Sequence, residues 1–216
     1  MKKFALLLLA LLLIFPMSTM ALEVKQDTDE SETLFGNGEI THGGYGAVEL
    51  KLTQLQGEMG LLIGGRGGWI INNSFSIGGG GYGLVTSQKI NNYPTYYDDS
   101  SAYLRVGWGG LFVEYINSSN KLIHFTVNTL IGAGGASYTR SYHDGMNNWN
   151  NDGWMYESTP FFVVEPGATI DLNVAKFFRI SLGASYRFVS GVELSKSTNK
   201  DFSGPSANLA FKFGKF

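Results

Sequence analysis

No cysteine occurs among the 216 residues, so disulfides, thiolate metal sites and a lipidated-cysteine anchor are all excluded. Basic charge is not in excess either: 16 Lys and Arg stand against 18 Asp and Glu. A nucleic-acid partner, which asks for a concentrated basic surface, does not fit that balance. Beyond the first two dozen residues no stretch sustains the 3.6-residue apolar period of an amphipathic helix. Glycine, by contrast, is abundant, with 29 in the chain.

The only long apolar run lies at the start, in MKKFALLLLALLLIFPMSTMALEV. Lys2 and Lys3 precede an apolar segment from Phe4 to Phe15, and Thr19 and Ala21 supply small residues at the −3 and −1 positions of a cleavage site. This pattern predicts a secretory signal peptide over 1–21. A membrane anchor fits less well, because the run is short and Pro16 interrupts it. Cleavage after Ala21 would leave 216 − 21 = 195 residues with a net charge of 14 − 18 = −4. Residues 22–42 begin with the acidic LEVKQDTDESET and are expected to form a mobile tail, leaving 43–216 as one domain.

Glycine is densest in GGRGGWIINNSFSIGGGGYG, residues 64–83. Gly78 to Gly83 match the G-x-G-x-x-G pattern of dinucleotide sites, but that pattern needs a helix to follow, whose N-terminal N–H groups receive the pyrophosphate. Here Leu84 to Gln88 and a tyrosine-rich stretch follow, with no helical period.

What recurs is two-residue alternation, in segments near the ten residues of a tilted membrane strand. Val48, Leu50 and Leu52 oppose Glu49, Lys51 and Thr53; Ile123, Phe125, Val127 and Ile131 oppose His124, Thr126 and Asn128. Phe162, Val164, Ala168, Ile170 and Leu172 oppose Glu165, Thr169, Asp171 and Asn173. Phe178 to Phe188 oppose Arg179, Ser181, Ser185 and Arg187 in the same way. Three further segments alternate less cleanly. Leu61, Ile63, Trp69 and Ile71 are set against Arg66, Leu104, Val106, Trp108 and Phe112 against Arg105, and Leu209, Phe211 and Phe213 against Asn208 and Lys212. The glycine-rich 74–87 is the eighth strand. The segments therefore predict strands over 46–53, 59–71, 74–87, 102–115, 122–133, 162–174, 177–188 and 205–213.

The connections carry a second regularity. Those at 72–74, 117–120 and 173–177 are short, and those at 88–100, 139–158 and 190–204 are long, as in outer-membrane barrels with short periplasmic turns and longer external loops. The first hairpin, at Gln56-Gly57, breaks the rule. A two-residue turn there pairs residues whose numbers sum to 113, which sets Glu49 against Gly64 and keeps apolar side chains on one face. The fold class that follows is all-β: a closed, eight-stranded, antiparallel up-and-down transmembrane barrel, with its glycines in the wall where strands crowd and where Arg66 and Arg105 need room.

The chain resembles the small eight-stranded outer-membrane barrels of the OmpA/OmpX type over its whole mature length. It is similar in detail to uncharacterised bacterial outer-membrane proteins with HGGYG, GGRGGW and GGGGYG blocks and an FKFGKF ending, here His42–Gly46, Gly64–Trp69, Gly78–Gly83 and Phe211–Phe216. The resemblance implies a bacterial outer-membrane location, contact with membrane lipid and the barrel assembly machinery, and a terminal aromatic assembly signal at Phe216. Phe216 lies out of phase with Phe211 and Phe213, which predicts an end or bulge of the strand near Gly214.

The alternation turns Glu49, Lys51, Arg66, Arg105, Glu165, Asp171, Arg179, Arg187 and Lys212 inward. Eight strands enclose only enough room for side chains, so these predict an interior ion-pair network rather than an ion path. Symmetry about the 173–177 turn sets Asp171 opposite Arg179, with Glu165 and Arg187 as diagonal neighbours. Six of the nine are cations and three are anions, an imbalance that marks the face assignments as incomplete. His124 is expected to be a hydrogen-bonded interior histidine.

In TRSYHDGMNNWNNDGWMYES, residues 139–158, Ser141, His143 and Asp144 are the residue types of an activated nucleophile but lack a rigid frame. The Asp/Asn cluster there lacks the ordered spacing of a calcium loop. Tyr142, Trp149, Trp154 and Tyr156 suit a headgroup-level or ligand-recognising surface. The expected role is a monomeric barrel without cofactor, not an enzyme and not a pore, with a structural or surface-recognition role through its external loops and an extracellular ligand left open. Two alternatives stand beside it: an outer-membrane enzyme modifying lipid A, and a soluble periplasmic barrel carrying an apolar ligand.

Overall fold

The computed structural model describes residues 40–90, 93, 102–139 and 155–216. Nine strands and one helical turn appear among them: β1 (His42–Leu55), β2 (Glu58–Ile71), β3 (Phe75–Leu84), β4 (Gln88–Ile90), β5 (Ala102–Asn117), β6 (Ile123–Thr139), β7 (Met155–Ala175), β8 (Phe178–Ser190), α1 (Asn199–Phe202) and β9 (Gly204–Lys215). Every pairing is antiparallel between sequence neighbours, β3 joins β5 directly, and β9 pairs back onto β1. Eight strands close the ring, and the three-residue β4 extends the rim along β5 beyond the end of β3. Closure pairs each of the eight ring strands on both sides, which is what a strand protein needs in an apolar solvent.

Period-two alternation places the side chains. Val48, Leu52, Ile63, Phe125, Val127, Ile131, Phe162, Ile170 and Leu182 are exposed on the outer wall, while Glu49, Lys51, Thr53, Arg66, His124, Thr126, Asn128, Glu165, Asp171, Arg187 and Lys212 are buried inside. An exposed apolar belt of this extent would aggregate in water, and it suits a hydrocarbon surround.

The two ends of the barrel differ. At one, the turn end, connections are short. Ile71-Asn72-Asn73-Ser74 is a tight turn closed by Ser74 N–H to the Ile71 carbonyl at 3.1 Å, with φ of 50° and 52° at the asparagines. Both central residues thus lie in the left-handed region, as the hairpin turn matched to strand twist requires, and asparagine tolerates it. At the other, the loop end, Gln56-Gly57 forms the remaining tight hairpin in the register Leu55↔Glu58 and Glu49↔Gly64 that the sequence implies.

The glycines belong to the wall. Gly78 packs so closely on β2 that a Cβ there would collide with the Gly67 carbonyl, and a Cβ on Gly64 would strike the Tyr82 ring. Gly80 pairs with Arg66 and leaves its side chain room. The Gly78→Ala variant is expected to lose about 3 kcal/mol, the upper end for overpacking, because the obstacle is backbone rather than a movable side chain. The yield of folded barrel, read from unboiled gel mobility, checks this; wild-type yield would refute it.

Three segments differ from the sequence reading. β7 begins at Met155, seven residues early, because its pairing with β6 continues to Tyr138↔Glu157 and, past a bulge, Thr139↔Met155. The stretch 88–100 is not all loop, since β4 lies at its start. Residues 191–203 are not an open external loop but a folded segment carrying α1. In it Thr198 and Asp201 form a capping box, and Val192, Leu194 and Phe202 are buried.

Candidate functional site: a filled interior with two layers

In the middle and toward the turn end the interior is a charge network. Lys51 Nζ lies 2.7 Å from Glu165 Oε1 and 3.9 Å from Glu49. Arg66 Nε lies 3.2 Å from Glu49 Oε2, and its Nη1 is 3.8 Å from Glu114. Lys212 Nζ bridges Glu114 at 3.2 Å and Asp171 at 3.5 Å. Neutral donors complete the carboxylates' coordination. Tyr45 donates to Glu114, Tyr82 to Glu49 at 3.1 Å, and Ser185 and Trp108 to Glu165 at 2.6 and 3.2 Å. Thr126 donates to Asp171. Buried polar groups need such partners, and charge-assisted hydrogen bonds of this kind are the strong ones.

Glu114 is the acid the sequence tally lacked. It is 1% exposed and sits on β5, the strand whose faces the sequence reading inverts. Leu104, Val106, Trp108 and Phe112, expected on the lipid side, point inward with Glu114, while Leu111 and Tyr115 are exposed. Arg105 is accordingly not an interior residue. It is half-buried and shares its face with Tyr103 and Gly107. The signal was available: Glu114 has the parity of Trp108, and Leu111, Val113 and Tyr115 form a second apolar stripe of opposite parity.

The Asp171–Arg179 pair is also corrected. The turn falls at Lys176-Phe177, after Ala175↔Phe178, and a one-residue bulge lies between Asn173 and Ala175. Together they move the register by two from the symmetric one, so Asp171 faces Ser181 and Arg179 faces Asn173. A two-residue shift keeps each side chain on its face and changes its partner. Asp171 instead meets Lys212 and, at 3.7 Å, His124 Nε2, while His124 Nδ1 lies 3.2 Å from the Lys121 carbonyl oxygen. Glu165 and Arg187 form no ion pair among the described residues. Arg187 donates to the Phe202 carbonyl at 2.6 Å and to Thr53 at 3.3 Å, with its guanidinium 4.6 Å from the Trp108 ring.

Toward the loop end the interior turns apolar. Leu55, Leu62, Leu104, Leu130, Tyr138, Phe161 and Val163 pack with Val192, Leu194 and Phe202 of the folded segment into one cluster. Phe202 stands over Phe161, ring centroids 6.1 Å apart. This segment explains the short first hairpin. Gln56 N–H donates to the Asp201 carbonyl at 2.9 Å, and its side-chain amide donates to Tyr138 and Ser197. A longer hairpin would displace the segment from the barrel mouth. These bonds also hold Gln56 at φ 52°, a conformation that costs an ordinary side chain about 1 kcal/mol or more.

A closed ring of eight strands, apolar outside and charged within, decides the architecture. The fold is that of a small eight-stranded outer-membrane barrel. No family model and no curated protein matches the sequence. Among solved structures, Neisserial surface protein A is similar at 11% identity and a TM-score of 0.48, over 83% of this chain and 100% of that one. The attachment invasion locus protein Ail of Yersinia pestis is similar at 13% identity and a TM-score of 0.40, over 80% of this chain and 97% of that one. Ail has also been solved with the heparin analogue sucrose octasulfate, a structure similar to this chain at 12% identity and a TM-score of 0.40 over 80% and 95% of the two chains. These likenesses are too distant to assign a ligand or a role here.

The aromatic surface expected of 139–158 is reached at one residue. Tyr142, Trp149 and Trp154 lie outside the described residues, as do Ser141, His143 and Asp144. Tyr156 does not stand free. The bulge at the start of β7 sets it against Tyr93, 5.4 Å between centroids, and Tyr93 packs edge-on against Tyr138 at 5.3 Å, so both rings join the apolar cluster. Phe216 turns inward at the turn end, 6.2 Å from the Tyr45 ring, with the Arg179 guanidinium 3.8 Å from its own. Its inner-face parity, out of phase with Phe213, is why it leaves the lipid face. No group of three metal-binding side chains occurs among the described residues.

Proposed function

We propose that the protein is a non-conducting outer-membrane barrel whose role is structural or recognition-related, with the loop end as its working surface. The observation that carries this is the filled interior. A charge network spans the middle, a segment of the chain's own closes the loop end, and the outer wall is apolar throughout. The short turns then face the periplasm, and the connections at 88–100 and 139–158 face outward. An apolar-ligand carrier would need an empty apolar interior, whereas here Phe202, Val192 and Leu194 occupy that space. Phe216 is proposed as the assembly signal.

Two measurements test the reading. The protein should fractionate with the outer membrane and migrate differently on a gel before and after boiling, because the closed wall resists detergent. Reconstituted into planar bilayers, it should give no stable single-channel currents. Solubility without detergent would overturn the membrane placement, and steady conductance would overturn the filled interior.

A further inference from the structure

The turn end holds a cavity of about 550 Å³ lined by Asn73, Ser119, Asn120, Asn173, Ala175, Lys176, Arg179, Lys215 and Phe216. That volume is within the range of small-molecule sites. Its lining contains three cationic side chains and no acidic one. Arg179 is the unusual member. It is 5% exposed, yet no carboxylate lies within ion-pair distance of it among the described residues. Of the other buried cations, Lys51, Arg66 and Lys212 each meet at least one carboxylate. Arg187, without one among the described residues, instead donates to the Phe202 carbonyl and Thr53 inside the barrel, outside the lining of this cavity. Among the described residues, Arg179 donates from Nη2 to the Ser119 carbonyl at 3.1 Å and lies over the face of the Phe216 ring, with Asp171 and Glu114 acting on it only from beyond ion-pair distance.

A flat guanidinium on a ring keeps its edge N–H groups for a planar anion, the geometry in which arginine grips carboxylate or phosphate with two bonds. The neighbours suit the same ligand. Lys176 and Lys215 are exposed at the rim. Asn73 accepts from Thr41 through Oδ1, which leaves its amide N–H groups as donors. Asn173 spends its amide N–H groups on the Ser119 and Lys121 carbonyls at 2.9 and 2.7 Å. Its Oδ1, without a hydrogen-bond partner among the described residues, is therefore an acceptor for a donor group of the solute and not for its anion. We infer that this cavity binds a small polar solute presenting a carboxylate or phosphate group, with Arg179 as the anchor and Lys176 and Lys215 as the flanking charges.

The test uses the folded full-length barrel in an uncharged, phosphate-free detergent, titrated with inorganic phosphate, with N-acetyl-dialanine and with the neutral amide of that dipeptide. Calorimetry and backbone NMR shifts read the binding. At least one of the two anions should bind saturably, the amide should not, and shifts should centre on residues 119, 173 and 179. Binding of phosphate alone would point to phosphate-bearing headgroups or solutes, and binding of the dipeptide acid to free carboxylates; either supports the site. Because Arg179→Gln alters a buried residue, Lys176→Gln with Lys215→Gln provides the second variant, on exposed positions. That pair should weaken binding about tenfold with unchanged gel mobility, and Arg179→Gln should abolish it. Failure of both anions to bind, equal binding of the amide, or undiminished affinity in the lysine double variant would each overturn the inference.

Discussion

Replacing Glu114 with alanine is expected to cost the folded barrel about 3–5 kcal/mol, the range for removing one partner from a buried ion pair. The argument rests on what remains. Lys212 keeps Asp171 at 3.5 Å and Arg66 keeps Glu49 at 3.2 Å, but both lose a shared carboxylate and Tyr45 loses its acceptor. Among the described interior residues, four carboxylates (Glu49, Glu114, Glu165, Asp171) face five cations (Lys51, Arg66, Arg179, Arg187, Lys212). The deletion therefore raises an existing excess of positive charge among buried side chains. Urea unfolding in detergent, followed by gel mobility, measures the cost. Adding Lys212→Met to the variant should recover part of it, since the partner's uncompensated charge is then removed as well. A loss under 1 kcal/mol, or no recovery, would show that Glu114 is not the hub of the network.

The second large effect is expected from Phe202→Ala. Truncating a buried phenylalanine costs about 3–5 kcal/mol, and Phe202 joins the 191–203 segment to the wall through Phe161 and the rest of the apolar cluster. The segment's other attachments are the packing of Val192 and Leu194, the Arg187 bond to the Phe202 carbonyl at 2.6 Å, which the variant keeps, and further hydrogen bonds. Those include Gln56 to Asp201 and Ser197, Glu193 N–H to Thr159 at 3.1 Å, and Ser195 to Glu157 at 2.9 and 2.8 Å. These are modest individually, so most of the loss should appear as local opening rather than collapse of the barrel. A 3 kcal/mol loss raises the open population on the order of a hundredfold. Protease should then cut within 191–203 in the variant and spare it in the wild type, while both keep the gel mobility of a closed barrel. Cleavage of the wild type at that site would mean that the segment is an open loop after all.

The wall was legible residue by residue in β1, β6, β7 and β8, where polar and apolar residues alternate most clearly. A one-residue slip there would turn Glu49, Asp171 or Arg187 onto the apolar face. β5 was misread because both its faces are apolar, and alternation says nothing when neither face is polar. The apolar loop half of the interior is what made the inner face of β5 apolar, and that layer is assembled from eight strands, β1 to β8, and the 191–203 segment. Tyr156 was misplaced for a related reason. A bulge re-aims one side chain, and nothing local marks it in the sequence.

The amino-acid sequence by itself determined the number of strands, the antiparallel order, the tight Gln56-Gly57 register and the inward face of Glu49, Lys51, Arg66, Glu165, Asp171, Arg179, Arg187 and Lys212. Each of these depends on a period of two or on a two-residue turn, and both are local. Only the tertiary structure decided the partners. Lys51 meets Glu165 across 114 positions of chain, and Lys212 meets Glu114 across 98. It also decided that Asp171 passes over Arg179 in favour of Lys212, that Phe216 turns inside, and that 191–203 folds back as a plug. Such contacts are set by which side chains reach the same height in the closed ring, and height depends on bulges and on the stagger between strands. Local periodicity carries neither.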